Sequence, residues 1–497
     1  MWDGILIGIS TAFSPVNLIA VMLGCFAGTF IGLLPGLGPI SAIALMIPIT
    51  YGLDPATGMI LMAGVYYGAI FGGSTSSILI NAPGVAGTVA SSFDGYPLAK
   101  SGNAGKALAL AAYSSFIGGT VATFLLLLFA PLLAKVSLSF QSSDYFMLMV
   151  LGLTTVAAFS GKGNYLKAGI MTIFGLMLST VGTDLSTGVE RYTFGSIDLL
   201  DGISFLLLAM ASFALAEALH NILVPVKESD TSSTEVSDLS ISKQEFGEVA
   251  PTIGRSSILG FFVGILPGAG ATIASFLAYG VERNLASEEQ KQKFGKGSLR
   301  GLAAPETANN AACSGSFVPL LTLGIPGSGT TAIMLGALIS YGVQPGPRLF
   351  VDHPQVFWSV IISMYIGNMV LLIMNLPLIP YIAKLLTVPR PILIPLILFF
   401  SLIGVYLVSF NTTDLYIMVF IAIFALLLRL LQFPIAPMLL GFILGKPIED
   451  NLYRALLANN GSVSFLWERP ITLAIFCLVC AVVILPCWRI YRKRSSD

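Results

Sequence analysis

Long apolar runs separated by short polar segments recur along the whole chain. Many of these runs reach the roughly 20 residues that an α-helix needs to cross the hydrocarbon core of a bilayer. The alternating polarity over about ten residues that a membrane β-barrel requires is not evident. The pattern therefore predicts an all-α polytopic membrane protein that sits in a lipid bilayer. The apolar runs cover residues 16–34, 106–134, 146–159, 166–182, 203–224, 253–266, 356–386, 392–410, 415–431 and 471–488.

One long polar segment, VKESDTSSTEVSDLSISKQEFGEVAPT, interrupts this pattern near the middle of the chain. It is rich in Ser, Thr and acidic residues, a composition that is typical of a solvated linker. The interruption divides the chain into four predicted parts. These are an N-terminal transmembrane repeat at 1–225, the polar linker at 226–252, a C-terminal transmembrane repeat at 253–445, and a loop, a final transmembrane helix and a basic tail at 446–497.

The two halves resemble each other in sequence. GLLPGLG at 32–38 corresponds to GILPGAG at 264–270, and NAPG at 81–84 corresponds to GIPG at 324–327. Two further pairs of apolar segments match in the same order along the chain. Since one weak match would mean little but four matches keep their order, the sequence predicts two homologous halves.

Lysine and arginine are distributed unevenly between the corresponding loops of the halves. Loops 94–106 and 160–167 each hold two lysines, whereas their counterparts in the second half hold one arginine between them. Conversely, 281–300 holds five basic residues and its counterpart near 51–56 holds none. Because Lys and Arg prefer cytoplasmic loops, this exchange predicts inverted repeats, although three basic residues in loop 446–469 weaken the comparison. The terminal RIYRKR predicts a cytoplasmic C-terminus.

Composition narrows the class of protein further. Of the 497 residues, 55% are hydrophobic and 10% are charged, whereas soluble domains carry about 25% charged residues. The formal net charge of zero disfavours a nucleic-acid partner. No Walker A, HExxH or GxSxG motif occurs, and His220 and His353 are the only histidines, so we expect no enzymatic activity. A passive ion or solute channel and, more remotely, an intramembrane enzyme remain the alternatives to a transporter.

GLLPGLG and GILPGAG, called here the two PG breaks, place proline and glycine inside apolar runs. Proline removes a backbone donor and glycine weakens a helix, so each motif should break a membrane helix. In hydrocarbon, the polar groups of a broken helix must be satisfied by protein, water or ligand. The PG breaks therefore predict discontinuous helices near the bilayer midplane, where known secondary transporters bind substrate and coupling ions.

Clusters of Ser, Thr and Asn follow each PG break, at 72–88, 304–317 and 322–331. The N-terminal end of a half-helix attracts carboxylates, while hydroxyls and unwound carbonyls suit a sodium ion. Asn81, Asn309 and Asn310 are the strongest candidates for direct ligand contact. Small residues in membrane helices also serve close helix packing alone, and that interpretation stays open for any single serine.

Glu306 follows Pro305, a context that predicts the first turn of a helix. The simpler interpretation makes this carboxylate a partner of the helix dipole at a solvated end. The functional interpretation gives it a coupling role, in binding a cation or carrying a proton. Together with hydroxyls of the same polar clusters, it forms the predicted coupling-cation set of Glu306, Ser314 and Thr322.

GLLPGLGP, YYGAIFGGSTSSILINAPG, DGYPLAKSGNAGKAL, GILPGAG, APETANNAA and LGIPGSGTTA together resemble the large membrane subunit of the tripartite tricarboxylate transporters, the TctA family. The resemblance covers the chain from about residue 13 to about residue 470. It implies a bacterial inner-membrane secondary transporter that imports citrate-like di- and tricarboxylates, coupled to a sodium or proton gradient. It also implies two partners, a small membrane subunit of about four helices and a periplasmic solute-binding protein.

The resemblance carries the substrate-binding prediction onto specific positions. We expect no cofactor beyond the coupling ion, a sodium ion or a proton, and no other metal; homodimerisation is left open. The predicted substrate-binding residues are Pro35, Gly36, Gly38, Ser74, Thr75, Ser76, Ser77, Asn81, Pro83, Gly84, Pro267, Gly268, Gly270, Asn309, Asn310, Gly324, Pro326, Gly327 and Ser328.

Overall fold

A computed structural model describes residues 2–34, 38–81, 83–159, 165–184, 188–223, 239–268, 270–382 and 390–494. Apart from one antiparallel pairing of β1 (Gly182–Thr183) with β2 (Glu190–Arg191), the regular structure of this part of the chain is helical. Six helices within it are long and apolar enough to cross a membrane. The predicted all-α membrane class is confirmed.

The first half of the described chain contains ten α-helices, joined in places by short 3₁₀ and π-helical turns. They are α1 (Trp2–Ala12), α2 (Pro15–Leu33), α3 (Gly38–Thr50), α4 (Pro55–Ile80), the 3₁₀ turn Ala86–Thr88, α5 (Val89–Leu98), the π turn Ala99–Asn103, α6 (Ala104–Ser137), α7 (Ser142–Phe159), α8 (Tyr165–Ser179), the 3₁₀ turn Ile197–Leu199, α9 (Phe205–Ala209), the π turn Met210–Leu215 and α10 (Ala216–Leu223).

The second half of the described chain continues with fourteen α-helices. They are α11 (Lys243–Ile265), α12 (Gly270–Leu285), α13 (Glu288–Lys291), α14 (Leu299–Gly315), α15 (Phe317–Leu323), α16 (Gly329–Ser340), α17 (Pro347–Asp352), α18 (Pro354–Asn375), α19 (Ile379–Ile382), α20 (Arg390–Ser409), α21 (Thr412–Leu430), α22 (Ala436–Ala458), α23 (Phe465–Glu468) and α24 (Pro470–Arg494).

Helix α4 lies at the centre of the fold, although the apolar runs of the sequence did not identify it. Asp54 accepts a hydrogen bond from the Ala56 N–H and Pro55 occupies the first turn, so the start of the helix is well specified. Its most apolar 18-residue window is fully buried inside the protein. Its many Gly, Ser and Thr residues lower its hydropathy, because a helix buried in protein does not need to be as apolar as one that faces lipid.

Small residues let α2 and α4 approach closely. A side-chain carbon at Gly28 would lie 2.2 Å from the Val65 carbonyl oxygen, and one at Gly32 would lie 2.2 Å from that of Ala69. The contacts advance along both helices in the same direction, so α2 and α4 run parallel. This is the small-residue packing expected of membrane helices.

The protein has two faces that lie at opposite ends of α6. This helix has 34 residues and is therefore about 50 Å long. Near its start, Asp94 accepts a hydrogen bond from the Gly295 N–H, which brings the basic loops 94–106 and 281–300 together; we call this end the basic face. Ser137, at the other end of α6, lines a large cavity, and we call that end the vestibule face.

The helices that lead into the two PG breaks start from opposite faces. Thr57, in the first turn of α4, donates a hydrogen bond to Asn17 at the start of α2, and Thr50, at the end of α3, contacts Tyr341 beside the vestibule. Helices α2 and α3 therefore form a hairpin that begins and ends at the vestibule face. In the second half, Glu245 of α11 pairs with Lys106, so the hairpin of α11 and α12 begins at the basic face.

Helix α11 begins inside the segment predicted as the linker. Ser242 and Glu245 form a capping box, in which each side chain accepts a hydrogen bond from the backbone N–H of the other residue. This cap starts the helix at Lys243, so 243–252 are helical rather than extended linker. Residues 224–238 lie outside the described residues. The division of the chain into domains stays a prediction.

Candidate functional site

The two PG breaks have matching backbone geometry. Gly38 and Gly270 both adopt φ of +58°, and each begins a helix, α3 and α12 respectively. This left-handed conformation is strained for residues with a side chain, which explains the glycines. Gly268 donates a backbone hydrogen bond to the Gly327 carbonyl at 3.0 Å. Pro35 and Gly36 lie outside the described residues.

The segments NAPG and GIPG also occupy corresponding places. Asn81 ends α4 with φ of +51° and Gly324 ends α15 with φ of +69°, so both helices end in a left-handed residue. The side chain of Asn81 is exposed. Three residues further on, Gly84 and Gly327 lie close to the backbone of the preceding helices. A side-chain carbon on Gly84 would lie 1.9 Å from the Gly32 carbonyl oxygen. A side-chain carbon on Gly327 would lie 3.1 Å from the Gly264 carbonyl oxygen. Pro83 and Pro326 lie inside these turns.

Four helical N-termini converge where the PG breaks meet these turns. The 3₁₀ turn Ala86–Thr88 packs against α12, and α16 packs against α3. A carbon on Gly270 would lie 3.8 Å from the Ser328 side chain, and one on Gly38 would lie 3.9 Å from the Gly84 carbonyl. The first N–H groups of a helix have no partner within it, so each end carries partial positive charge. We call this region the central site.

Asn309 points an unsatisfied carboxamide at the central site. It is fully buried in α14, and neither its oxygen nor its nitrogen has a hydrogen-bond partner among the described residues. A carbon added at Gly87 would lie 2.6 Å from Asn309 Oδ1, so the amide sits directly over the turn that follows NAPG. Leaving such a group unsatisfied costs about 1–3 kcal/mol, which a bound polar ligand would recover.

Glu306 is the carboxyl group at the centre of a second buried set, the glutamate cluster of Glu306, Ser74, Ser115 and Asn310. Ser74 and Ser115 donate to Glu306 Oε2 at 2.7 and 3.1 Å. Asn310 Nδ2 donates to Ser115 Oγ at 2.7 Å. The buried Ser91 hydroxyl lies close to Glu306, but Glu306 Oε1 accepts no hydrogen bond of good geometry in the described part of the chain. No lysine, arginine or histidine of that part forms an ion pair with Glu306.

The predicted position of Glu306 in a first helical turn is wrong. Helix α14 begins at Leu299, so Pro305 and Glu306 lie inside it, and Glu306 is fully buried. The helix dipole at a solvated end therefore does not account for this carboxylate.

The polar cluster at 72–80 is also helical rather than unwound. The hydroxyls of Thr75 and Ser77 donate to carbonyls one turn back in α4, while Ser76 Oγ accepts from the Gly84 N–H at 3.2 Å. Ser77 Oγ lies 2.7 Å from Thr88 Oγ1. These serines therefore stabilise the turn that contains Gly87. Their own backbone stays helical and does not offer unwound N–H and C=O groups to a ligand.

The predicted coupling-cation residues do not form one group. Ser314 lies two helical turns beyond Glu306, where it is hydrogen-bonded to the Tyr67 hydroxyl at 3.0 Å. The Thr322 carbonyl accepts from Ser137 at the vestibule. The roles of Ser314 and Thr322 stay predictions, but only Glu306 lies in the glutamate cluster.

A cavity of about 1230 Å³ opens at the vestibule face. It reaches Gly324 at the end of α15, and polar side chains line much of its wall. Arg469 in this wall pairs with buried Asp144 at 2.9 Å, while Arg454 is exposed. The cavity therefore extends from the vestibule face to the end of α15.

The basic face is closed by a contact between the halves. Asp94 is fully buried, and its Oδ1 accepts backbone hydrogen bonds from Gly295, Gly297 and Ser298 at 2.7–3.0 Å. The Tyr279 hydroxyl donates to the other oxygen at 3.1 Å. This carboxylate ties α5 of the first half to the loop that precedes α14.

A charged cluster centred on Glu282 joins α11, α12 and α14 at the same face, within the second half. Arg255 and Arg300 contact its two oxygens at 2.7 and 2.9 Å. Burial raises the pKa of Glu282, but hydrogen bonds from Arg255, Thr252 and Arg300 outweigh that effect, so the pKa lies below its ordinary value. The carboxylate therefore stays ionised and paired.

Sequence reasoning missed several polar residues beside the predicted ones. Ser115 belongs to no recognised motif, and Asn368 and Asn375 are single amides in the apolar helix α18. Asn368 contacts Gly119 on α6, and neither atom of its amide has a hydrogen-bond partner among the described residues. A lone amide in a membrane span is costly, and that signal could have identified both asparagines.

Comparisons with known proteins agree with the sequence motifs. The sequence model of the Tripartite tricarboxylate transporter TctA family matches residues 18–440. A protein of Agrobacterium vitis described as "Uncharacterized 52.8 kDa protein in TAR-I ttuC' 3'region" is 43% identical over 481 residues, covering 96% of this chain and 95% of that protein. A second A. vitis protein, "Uncharacterized protein in TAR-II ttuC' 3'region", is 42% identical over 226 residues, 46% of this chain and 93% of its own length. No solved structure matches the chain.

Proposed function

We propose that this chain, which belongs to the tripartite tricarboxylate transporter TctA family, is the membrane subunit through which di- and tricarboxylates are imported against their own concentration gradient. The chain is a transporter subunit by family. The substrate class, the coupling ion and the partners are proposals, and each is supported below by a feature of the described residues.

The convergence of four helical N-termini at the central site is the observation that carries the proposal. Partial positive charges from α3, α12, α16 and the turn Ala86–Thr88 favour an anion with more than one negative group. The free amide of Asn309 adds donors and acceptors that suit carboxyl and hydroxyl groups.

Glu306 supports coupling to a cation gradient. A buried carboxylate without a positive partner is costly in a membrane, and a proton or a cation would neutralise it. Hydroxyls of Ser74 and Ser115 orient the group, and Oε1 remains available for a partner. We therefore place the coupling ion, sodium or a proton, at the glutamate cluster.

Charge distribution supports an orientation in a bacterial inner membrane. The basic face carries Lys100, Lys106, Lys293 and further cations, so we assign it to the cytoplasm. The vestibule face is then periplasmic, where a solute-binding protein would deliver substrate. Helix α24 starts at Pro470 next to the vestibule residue Arg469, and its 25 residues suffice to bring the basic tail to the cytoplasm.

The two hairpins support the prediction of inverted repeats. The α2–α3 hairpin begins at the vestibule face and the α11–α12 hairpin begins at the basic face, while their breaks share φ of +58° at Gly38 and Gly270. A site between inverted halves is accessible to either face in turn, as alternating access requires. The small membrane subunit of about four helices would pack on lipid-facing helices of this scaffold.

Uptake of labelled carboxylates into proteoliposomes tests the proposal. The vesicles would contain this chain and its small subunit, with a binding protein outside and an imposed sodium or proton gradient. Uptake that requires both the gradient and the binding protein is the expected result. Conductance without a binding protein would instead establish a channel, and an absence of uptake for every carboxylate would overturn the substrate class.

A further inference from the structure

A small void lies beside the glutamate cluster, between α4, α6 and α18. Its volume is about 10 Å³, roughly what one water molecule or one dehydrated ion of similar size requires. Four of its lining residues carry side-chain oxygens, and the others are apolar. The four are Ser74, Thr75, Ser115 and Asn375.

The hydroxyl hydrogens of this lining are directed elsewhere. Ser74 donates to Glu306 or the Ile70 carbonyl, Thr75 donates to the Phe71 carbonyl, and Ser115 donates to Glu306. Ser115 Oγ uses one of its two lone pairs to accept from Asn310 Nδ2, so each of the three oxygens keeps at least one lone pair for an occupant. A water molecule could donate to only two of them, whereas a cation can accept electron density from all of them.

Asn375 supplies an oxygen that has no other assignment. Its nitrogen donates to the Leu371 carbonyl at 2.9 Å, which fixes the orientation of the amide. Its Oδ1 has no partner among the described residues, although the residue is only 3% exposed. Asn375 is also the last residue of α18, and the C-terminal end of a helix carries partial negative charge that favours cations.

The charge of the surroundings selects a monovalent ion. Two hydroxyls connect the void directly to Glu306, which is the one carboxylate of the glutamate cluster. One positive charge neutralises it, whereas a divalent ion would leave an excess charge in the membrane interior. No group of three or more His, Cys, Asp or Glu in the described part of the chain could hold a divalent or transition metal.

We propose that this void between Ser74, Thr75, Ser115 and Asn375 binds one dehydrated monovalent cation of the size of sodium. The cation is held by neutral oxygens and balanced by Glu306, one hydroxyl away. It joins α4 and α6 of the first half to α18 and α14 of the second. This inference rests on the proposed function in one respect, which is that the bound cation is the coupling ion. Binding of the cation itself does not depend on transport.

Binding of ²²Na⁺ to the purified chain in detergent tests the site directly. Thermal stability in sodium, potassium and choline chloride at equal ionic strength gives a second readout. We expect saturable sodium binding and a sodium-specific rise in melting temperature. Asn375→Leu and Ser115→Ala should each weaken sodium binding by about tenfold or more, since each removes one oxygen from a buried ion.

Ser363→Ala is the matched control on the same helix. Ser363 is buried, and its hydroxyl donates only to the Val360 carbonyl of its own helix, so sodium affinity should not change. Variants are compared after size-exclusion chromatography has shown folded, monodisperse protein. If Asn375→Leu does not fold, Ser115→Ala decides alone.

Several outcomes would overturn the site. Absence of sodium-specific binding in the wild-type chain between pH 6 and 8 would do so, as would unchanged affinity in folded Asn375→Leu or Ser115→Ala. Carboxylate uptake driven by a proton gradient, together with no sodium-specific binding, would overturn the site and leave the proposed function standing. Sodium binding without uptake of any carboxylate would support the site and overturn the proposed function.

Discussion

Ser74 of the first half donates a hydrogen bond to Glu306 of the second half, and the two residues are separated by 232 positions. This contact joins α4 of the first half to α14 of the second, so the hydroxyl and the carboxylate form a single site between the halves.

Glu306→Gln should uncouple transport from the cation gradient. The amide keeps the size of the side chain and can accept from Ser74 and Ser115, but it carries no charge to be neutralised. With a tenfold gradient of the coupling cation and no membrane potential, one coupled ion supports about a tenfold accumulation of substrate. We expect the variant to fall to no accumulation while exchange of labelled for unlabelled substrate continues.

Glu245→Gln is the matched control for this prediction. Hydrogen bonds from Lys106 and Ser242 lower the pKa of Glu245 to about 2. A lowered pKa in the folded protein gives stabilisation that is present above the unfolded value of about 4.3 and is lost as pH falls towards 2. Glu245 therefore stays ionised at pH 5–8, and its replacement should leave accumulation intact. Equal accumulation by Glu306→Gln and the control would refute the coupling role.

Gly87→Ala should weaken substrate affinity. The added carbon would lie 2.6 Å from Asn309 Oδ1, closer than real side-chain contacts allow, so the amide must move out of the central site. We expect the substrate concentration for half-maximal uptake to rise by about tenfold, equivalent to about 1.4 kcal/mol.

Gly254→Ala on α11 is the control for Gly87→Ala, because a carbon there has open space around it. Half-saturation of the control should equal that of the wild type. An unchanged half-saturation concentration in Gly87→Ala would show that Asn309 does not bind substrate at the central site.

Gly84→Ala and Gly327→Ala should both destabilise the protein. A carbon on Gly84 would overlap the Gly32 carbonyl at 1.9 Å, and one on Gly327 would lie 2.9 Å from Ser316. Such overpacking costs about 1–3 kcal/mol. Both variants should melt at lower temperature in detergent than Gly280→Ala, where a carbon meets nothing within 4 Å. A wild-type melting temperature for Gly327→Ala beside a destabilised Gly84→Ala would argue against equivalent turns.

The membrane class and the positions of the breaks could be predicted from the sequence, the breaks because proline and glycine side by side are poorly compatible with an unbroken membrane helix. Duplication of the two halves stays a prediction. The helical conformation of 72–80 and of Pro305–Glu306 could not be predicted from the sequence. Ser, Thr and Asn in these segments favoured unwound backbone, but in α4 and α14 their side chains bond to carbonyls of their own helix or to the neighbouring half. Such contacts depend on which helices pack together, and the local sequence pattern does not specify that packing.

The same limit applies to Ser115, Asn368 and Asn375. Packing of α6 against α14 brings Ser115 to Glu306, and packing of α18 against α6 brings Asn368 to Gly119. Separation of Ser314 and Thr322 from Glu306 also follows from helix geometry, because residues in one polar segment spread over several turns.

Cysteine accessibility should establish which face is periplasmic. Gln141 lines the vestibule and Lys293 lies on the basic face, and both are exposed. In a background without Cys477, Cys480 and Cys487, we expect an impermeant thiol reagent to label Gln141→Cys in cells with an opened outer membrane. Lys293→Cys should react only after the inner membrane is permeabilised. Buried Cys25 and Cys313 serve as unreactive internal controls. The opposite pattern would reverse the assigned orientation and place the vestibule on the side from which substrate leaves.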